Sequence, residues 1–385
     1  MKILFVCENY LPHIGGAEVV FKNLAEGFVK LGHEVFLVTH RIKDTKKYEL
    51  MNGVKVYRVN CFKSRYLFSF LAIPKVLKLA KKADVIQTTS FNGAPPAWLA
   101  AKLTKKPVVI TVHENWINKW NKVTDLSKIS CFIHNCLEKI IYTLKYDRYI
   151  CVSNATRKDI INDVIKNKAS EKKAITIYNG LDYQLWNLDN FNGKKIREEL
   201  NLKDKFVCFS WGRPGMSKGF EYLIEAMPKI STQIPNSILL LMLGSKETHQ
   251  QRYEKLLQLI NKLTKKHKLE NRIKIIPSVP YEQLGSFIAA ADCAIVPSVS
   301  EGFGYSAIEA CTMNIPLVAA NVGSIPEVVS GRFVLVNSKD SNAIAEGVVK
   351  IKEKNYTSTP LKRFTWERAI QEYLDVYGEL QRDVK

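Results

Sequence analysis

The sequence is short of most features that would settle its class at once. It has eight cysteines but no CxxC pair, and only seven histidines. Cys131 and Cys136 have only His134 close by in sequence, too few ligands for a zinc site and no sign of a disulfide framework. Cys7, Cys151, Cys208 and Cys293 lie in or beside apolar runs and read as buried thiols in a reducing compartment. No apolar run approaches the length of a membrane-crossing helix. The opening MKILFVC is too short for the apolar core of a signal peptide, and Glu8 interrupts it. The expected location is therefore cytoplasmic. A GxGxxG fingerprint, internal repeats and low-complexity tracts are all missing. Acidic residues are scarce as well: 37 Asp and Glu face 57 Lys and Arg, leaving a net charge of +20. Such a field attracts nucleic acid, acidic lipid or phosphorylated substrates. The charge is spread along the chain, without the aromatic-interleaved basic clusters of a nucleic-acid module, so nucleic acid is not an expected partner.

What is present is a long alternation of strands and helices. At 385 residues and 46% hydrophobic content, the chain has material for two cores. Apolar runs at Ile3–Cys7, Val35–Thr39, Val54–Val59, Val85–Thr88, Val108–Val112 and Tyr149–Val152 read as strands. Between them Val19, Val20, Leu24, Phe28 and Leu31 fall on one helical face. The turn signal Asn179-Gly180 marks a break. The pattern restarts at Phe206–Trp211 and runs through Ile238–Leu243, Ile273–Ile276, Ala294–Val296, Leu317–Ala319 and Phe333–Val336. Unbroken apolar strands alternating with helices predict an α/β protein with parallel sheets covered on both faces. The expected domains are residues 1–180 and 181–363. A last helix from Phe364 has Trp366, Ile370, Tyr373, Leu374 and Tyr377 as its apolar face and can pack on either domain.

Ligands of open α/β sheets bind beyond the carboxyl ends of strands, and the chemically interesting residues fall there. The stretch SEGFGYSAIEACTMNIPLVAA places Glu301 and Glu309 around a Gly-aromatic-Gly turn that opens a helix. Gly302 and Gly304 allow close backbone approach, and the N–H groups of Tyr305, Ser306 and Ala307 open the helix toward an anion. Were the whole stretch helical, the two carboxylates would lie roughly 12 Å apart. That spacing suits one carboxylate on a sugar and the other on a ribose, with a diphosphate between; solvated surface glutamates give the same pattern. GRPGMSKG offers Arg213 and Lys218 on a loop after a strand, a bidentate fork and a point charge suited to diphosphate. VVITVHENW ends a strand on His113, which can donate to a sugar hydroxyl or be satisfied by backbone; Glu8 and Glu114 share that edge. Gly15-Gly16 opens the first helix, either for ligand approach or as a tight loop needing positive φ.

The segment FKSRYLFSFLAIPKVLKLAKKAD mixes aromatics, leucines and cations. It reads as a helix on an anionic membrane surface, with Phe68, Phe70 and Leu71 inserted and Lys75, Lys78, Lys81 and Lys82 at headgroups. Alternatively it packs on its own sheet. Residues 129–145 extend the same face. A peripheral position on the inner face of the cell membrane is thus open.

Taken in order, ENYLPHIGGAE, VSNAT, YNGLD, WGRPGMSKG, EGFGYSAIE and PLVAANVGSIPEVV resemble family 4 of the retaining glycosyltransferases over nearly the whole chain. The resemblance implies the GT-B fold: two Rossmann-like domains facing each other across a cleft, the first for acceptor, the second for donor. The last helix would cross back to the N-terminal domain. It implies a hexosyltransferase that retains anomeric configuration and needs no metal or other cofactor. A nucleotide-diphosphate sugar, UDP- or GDP-linked, is the donor; a glycan, lipid or small polyol is the acceptor. Gly16 would lie against the donor phosphate and the acceptor. Arg213 and Lys218 would bind the diphosphate, Glu301 with the amides of Phe303 and Gly304 the donor sugar, and Glu309 the ribose. Tyr305 and Ser306 would line the phosphate region, Ser278 and Val279 would cover the base, and His113 would contact the transferred sugar. Glu114 stands where the family often has Asp. A nucleotide-sugar epimerase on the same fold and a basic nucleic-acid binder are the alternatives.

Overall fold

The computed structural model describes every residue except 14, 63, 166, 384 and 385. The chain divides into two compact units. One takes Met1–Trp120, Lys128–Leu181 and Phe364–Lys385; the other takes Asn121–Ser127 and Asp182–Arg363.

The first unit is built on strands β1 (Lys2–Val6), β2 (Glu34–His40), β3 (Tyr48–Met51), β4 (Val54–Val59), β5 (Val85–Thr89), β6 (Val108–Val112), β7 (Arg148–Cys151) and β8 (Ala174–Thr176). They form one sheet in the order β3-β4-β2-β1-β5-β6-β7-β8, parallel except where β3 pairs antiparallel with β4. The five residues of β5 and of β6 are buried throughout, which is why these strands are apolar or β-branched on both faces rather than alternating, save for Gln87, whose amide is hydrogen-bonded inside the core. Its helices are α1 (Gly16–Lys30), α2 (Arg65–Leu71), α3 (Ile73–Ala80), α4 (Ala94–Thr104), the short α5 (Trp120–Val123) on the division between the units, α6 (Lys128–Thr143) and α7 (Asn154–Ile160). Side chains of β1 alternate between two cores: Leu4 and Val6 meet α2, α3 and α4, while Ile3 and Phe5 meet α1.

The second unit carries β9 (Phe206–Gly212), β10 (Ser237–Leu243), β11 (Ile273–Ile276), β12 (Cys293–Val296), β13 (Leu317–Ala320), β14 (Gly331–Val336) and β15 (Thr357–Thr359). Their order is β11-β10-β9-β12-β13-β14-β15, again parallel save the last pair. Helices α8 (Gly193–Glu199), α9 (Phe220–Gln233), α10 (Lys246–Lys266), α11 (Tyr281–Ala289), α12 (Tyr305–Thr312), α13 (Ile325–Val328) and α14 (Ser341–Lys352) alternate with the strands.

The last helix, α15 (Trp366–Asp383), packs on the first unit's sheet. Its Tyr373 hydroxyl meets Thr111 Oγ1 at 2.9 Å, and Tyr377 donates to Gln87 Oε1 at 2.9 Å, both inside the core. Gly27 of α1 lets Ile370 close in: a Cβ there would stand 2.2 Å from Ile370 Cδ1.

Every apolar run singled out in the sequence is a strand, and two readings of helices change. On α1 the buried face is Val20, Phe21, Leu24, Ala25 and Phe28; Leu31 caps the helix and is exposed. The described part of residues 62–82 holds two short helices, α2 and α3, rather than one. Phe68 lies in the core instead of facing a membrane, because α2 turns that residue onto the sheet. Lys75 holds its ammonium 5.0 Å above the Tyr57 ring, so it is not a free headgroup contact.

Candidate functional site

In the second unit the chain leaves β9 for β10 on one side and later returns to β12 on the other. The carboxyl ends of β9 and β12 therefore flank a crevice of the kind in which α/β sheets bind ligands. Lys218 rides the loop after β9, and Glu301 the loop after β12.

These loops are stitched together. Ser217 O accepts from the N–H of Val299 at 2.8 Å and of Ser300 at 3.3 Å. Gly219 adopts φ +66, and a Cβ there would sit 2.1 Å from the carbonyl oxygen of Pro297. Only glycine fits both the dihedral and the gap. The result is an ion pair between Lys218 Nζ and Glu301 Oε1, mostly removed from solvent. Ser298, itself buried, donates to the same carboxylate oxygen at 2.9 Å. Among the described residues Glu301 Oε2 has no partner. The Glu301 carbonyl is held from the far side by Ser324 N–H at 3.2 Å.

Glu309 sits on α12, and it is buried. Its Oε2 accepts from Trp211 Nε1 at 2.9 Å and its Oε1 from the Tyr281 hydroxyl at 2.8 Å. That hydroxyl in turn accepts from Trp186 Nε1 at 3.1 Å. Burial pushes the Glu309 carboxyl above the usual range; the two donors and the Lys218 charge pull it back, and Glu301 adds to the rise. Lys218, Glu301 and Glu309 thus share one electrostatic neighbourhood. Burial also pushes the Tyr281 phenol up, with Glu309 adding to it, so Tyr281 stays a donor.

The helix bearing Glu309 begins only at Tyr305, after Gly304 at φ +83, so the stretch from Glu301 is a loop rather than helix. Phe303 is buried and meets the Tyr305 ring edge-on at 5.0 Å. Ser306 is half-buried in the first turn. Arg213 follows β9 directly, is exposed, and has no ion-pair partner among the described residues. Ser278 and Val279 occupy the loop after β11 that runs into Tyr281, whose hydroxyl meets Glu309. Trp211, Tyr281, Trp186 and Ser298 escaped the sequence reading. The position of Trp211 at the end of β9 was a usable signal; Trp186 and Tyr281 meet across 95 residues, which no local pattern shows.

His113 and Gly16 belong to the first unit. His113 ends β6 and meets the Phe21 ring edge-on at 5.9 Å. Gly16 opens α1 without a positive φ, and a Cβ there would meet nothing within 4 Å. The tight-turn explanation for Gly16 therefore falls, and open space remains beside it. Glu8 follows β1 by two residues, is buried, and accepts from Asn92 N–H at 2.7 Å, with Arg65 at 3.8 Å. Among the described residues no group of three or more His, Cys, Asp or Glu side chains is placed to hold a metal.

Two family models match the chain: Glycosyltransferase Family 4 over residues 14–185 and Glycosyl transferases group 1 over residues 192–368. The chain belongs to this glycosyltransferase family. The glycosyltransferase is 29% identical to an uncharacterized glycosyltransferase of Methanocaldococcus jannaschii, over 98% of each chain. It is 23% identical to the GPI3 subunit of phosphatidylinositol N-acetylglucosaminyltransferase from Saccharomyces cerevisiae, over 98% of this chain and 83% of that one. Its fold matches sucrose-phosphate synthase from Thermosynechococcus elongatus with a TM-score of 0.79 at 22% identity, covering 98% of each. It also matches an Anabaena protein crystallised with UDP and glucose, with a TM-score of 0.74 at 22% identity, over 98% and 100%. The glycosyltransferase therefore has the two-domain GT-B fold, as its motifs implied, and is a sugar-transferring enzyme.

Proposed function

We propose that the enzyme moves a hexose from a nucleotide-diphosphate sugar to a glycan, lipid or small polyol acceptor, with retention at the anomeric carbon and without a metal. The observation that carries this reading is the Lys218–Glu301 pair at the β9/β12 crevice, with Ser298 behind it and the start of α12 beside it. Glu301 then accepts from donor-sugar hydroxyls through Oε2, aided by the amides of Phe303 and Gly304. Arg213 and Lys218 take the diphosphate, with Tyr305 and Ser306 lining the phosphate region. Glu309 binds the ribose: each of its oxygens keeps a second acceptor site beyond the bonds from Trp211 and Tyr281. Ser278 and Val279 cover the base. In the first unit His113 contacts the transferred sugar, and the open space at Gly16 admits phosphate and acceptor.

The mechanism follows from where charge grows. As the bond from sugar to phosphate breaks, negative charge builds on the diphosphate and positive charge on the ring. On this reading Lys218, held by Glu301, and the exposed Arg213 meet the negative charge where it develops, which is the economical place for electrostatic stabilisation. A two-carboxylate hydrolase needs a nucleophile beneath the anomeric carbon. Glu309, held by two donors, is not disposed for that task. The UDP in the Anabaena neighbour supports a uridine nucleotide, with guanosine the other choice; the phosphatidylinositol in the name of the yeast relative supports a lipid acceptor.

The test is a thermal-shift screen of UDP- and GDP-sugars, then product analysis by NMR with the stabilising donor. Stabilisation by one nucleotide class and an α-linked product from an α-linked donor are expected. A β-linked product would overturn retention. An epimer formed from donor alone would replace transfer with epimerisation.

A further inference from the structure

Helix α6 is apolar on its outer face as well as on the side that packs inward. Ile129, Phe132, Ile133, Leu137 and Ile140 recur at helical spacing, and all face solvent; Ile129 is 73% and Phe132 68% exposed. The side toward the protein buries Cys131 and Tyr142 together with Glu138, 6% exposed, which accepts from Trp116 N–H at 3.0 Å and Trp120 Nε1 at 2.7 Å. The polar residue is inside and bonded, while the apolar stripe is outside and uncovered. Helix α2 also turns apolar side chains to solvent beside it, although its Phe68 is buried. Phe70 is 69% exposed, with Tyr66, Leu67 and Leu71 also outward. The Tyr66 hydroxyl meets His134 Nε2 of α6 at 3.1 Å, so the two helices present neighbouring faces. An apolar surface of this extent on a folded chain marks an interaction site.

Charge selects the occupant. Arg65 is the only charged residue of α2, and Lys128, Lys139 and Glu138 are the only ones of α6. Since Glu138 is buried, every outward charge on these helices is positive. Exposed aromatic and aliphatic side chains rimmed by cations match an acidic bilayer surface, in which apolar groups enter the acyl boundary and cations meet headgroups. Among the described residues no helix is long and apolar enough to cross the bilayer. We propose that the first unit docks on an anionic lipid bilayer through the outward apolar faces of α2 and α6. Phe68 and α3, which pack inward, take no part. The edge that carries Glu8, bonded to Asn92 and beside Arg65 of α2, then lies next to the lipid surface.

The test is co-sedimentation of the full chain with vesicles of phosphatidylcholine alone and of phosphatidylcholine mixed equally with phosphatidylglycerol. Binding to the mixed vesicles, roughly tenfold stronger than to neutral ones and weakened by salt, is expected. The double variant Phe132→Ser, Ile133→Ser should lose about tenfold in partitioning or more. Because these side chains face solvent, its melting temperature should not fall, and its stabilisation by UDP should be that of the parent. Lys128→Gln with Lys139→Gln should lower binding to mixed vesicles only. Equal, negligible recovery with both vesicles overturns the proposal. So does a concentration-dependent dimer in sedimentation velocity that the serine variant abolishes while vesicle binding stays absent; the face would then serve a second copy. None of these outcomes depends on which sugar is transferred, so failure of the transferase reading would be seen separately.

Discussion

At Glu309, a carboxylate with little access to water hangs between an indole and a phenol. Burial holds its proton more tightly than in the unfolded chain, and Glu8, Glu138 and Glu221 share that direction through the same leading cause. The sign follows: a raised carboxyl favours the protonated native state. The stability it contributes is fully present below the ordinary glutamate value of about 4.3 and is lost as pH climbs through the raised value. Urea unfolding of Glu309→Gln against the parent should therefore show a stability difference that shifts in the variant's favour as pH rises from the acid side. A pH-independent difference would mean Glu309 titrates normally. For Lys218→Ala two effects combine. Transfer should fall on the order of a hundredfold or more, as for other losses of a group that stabilises developing charge. Glu301 is left mostly buried without its cation, so the melting temperature should fall too. Arg213→Ala separates the effects: its side chain is exposed and unpaired among the described residues, so turnover should drop with little change in melting.

At the scale of elements, α15 is tied into the first unit by tyrosines. Tyr377 supplies the hydrogen bond at Gln87 Oε1 within the core. Tyr377→Phe keeps the ring and removes the donor, so it should cost about 1–3 kcal/mol in denaturant unfolding. A cost near zero would mean water replaces it. The central strands of both sheets were legible in the sequence because burial on two faces demands unbroken apolar runs. The edge strands β3, β8 and β15 were not; they are short and carry residues such as Glu49, Thr176 and Ser358, and only pairing with a neighbour makes them strands. Lys218 and Glu301 were visible as types at strand ends. That they bond to each other was not, since the contact spans 83 residues and depends on the Gly219–Pro297 approach. The outward stripe of α6 was legible as a period, but its direction was not: periodicity marks a face, and the inward bonds of Glu138 decide which way it looks.

Over the whole molecule, the two proposals give the charge of +20 two kinds of anion to meet in different settings. Surface cations on α2 and α6 act through solvent, where screening shortens their reach to about 3 Å at 1 M salt. Lys218 acts from a site mostly removed from solvent. High salt should therefore release the protein from acidic vesicles while a nucleotide still raises its melting temperature. At about 100 times its Kd the nucleotide should add about 2.7 kcal/mol. Loss of both together would mean the nucleotide is held only by surface charge. The layout of the second sheet also bears on synthesis at the ribosome. Its inner strand β9 waits for its neighbour β12, Cys208 beside Cys293, until β10 and β11 have been made. A nascent chain that has just emerged past Lys218 exposes that ammonium with no carboxylate opposite. The Lys218–Glu301 pair therefore forms late, and a stalled or clipped product ending before residue 301 lacks it; on the proposed reading such a product should not bind a sugar nucleotide.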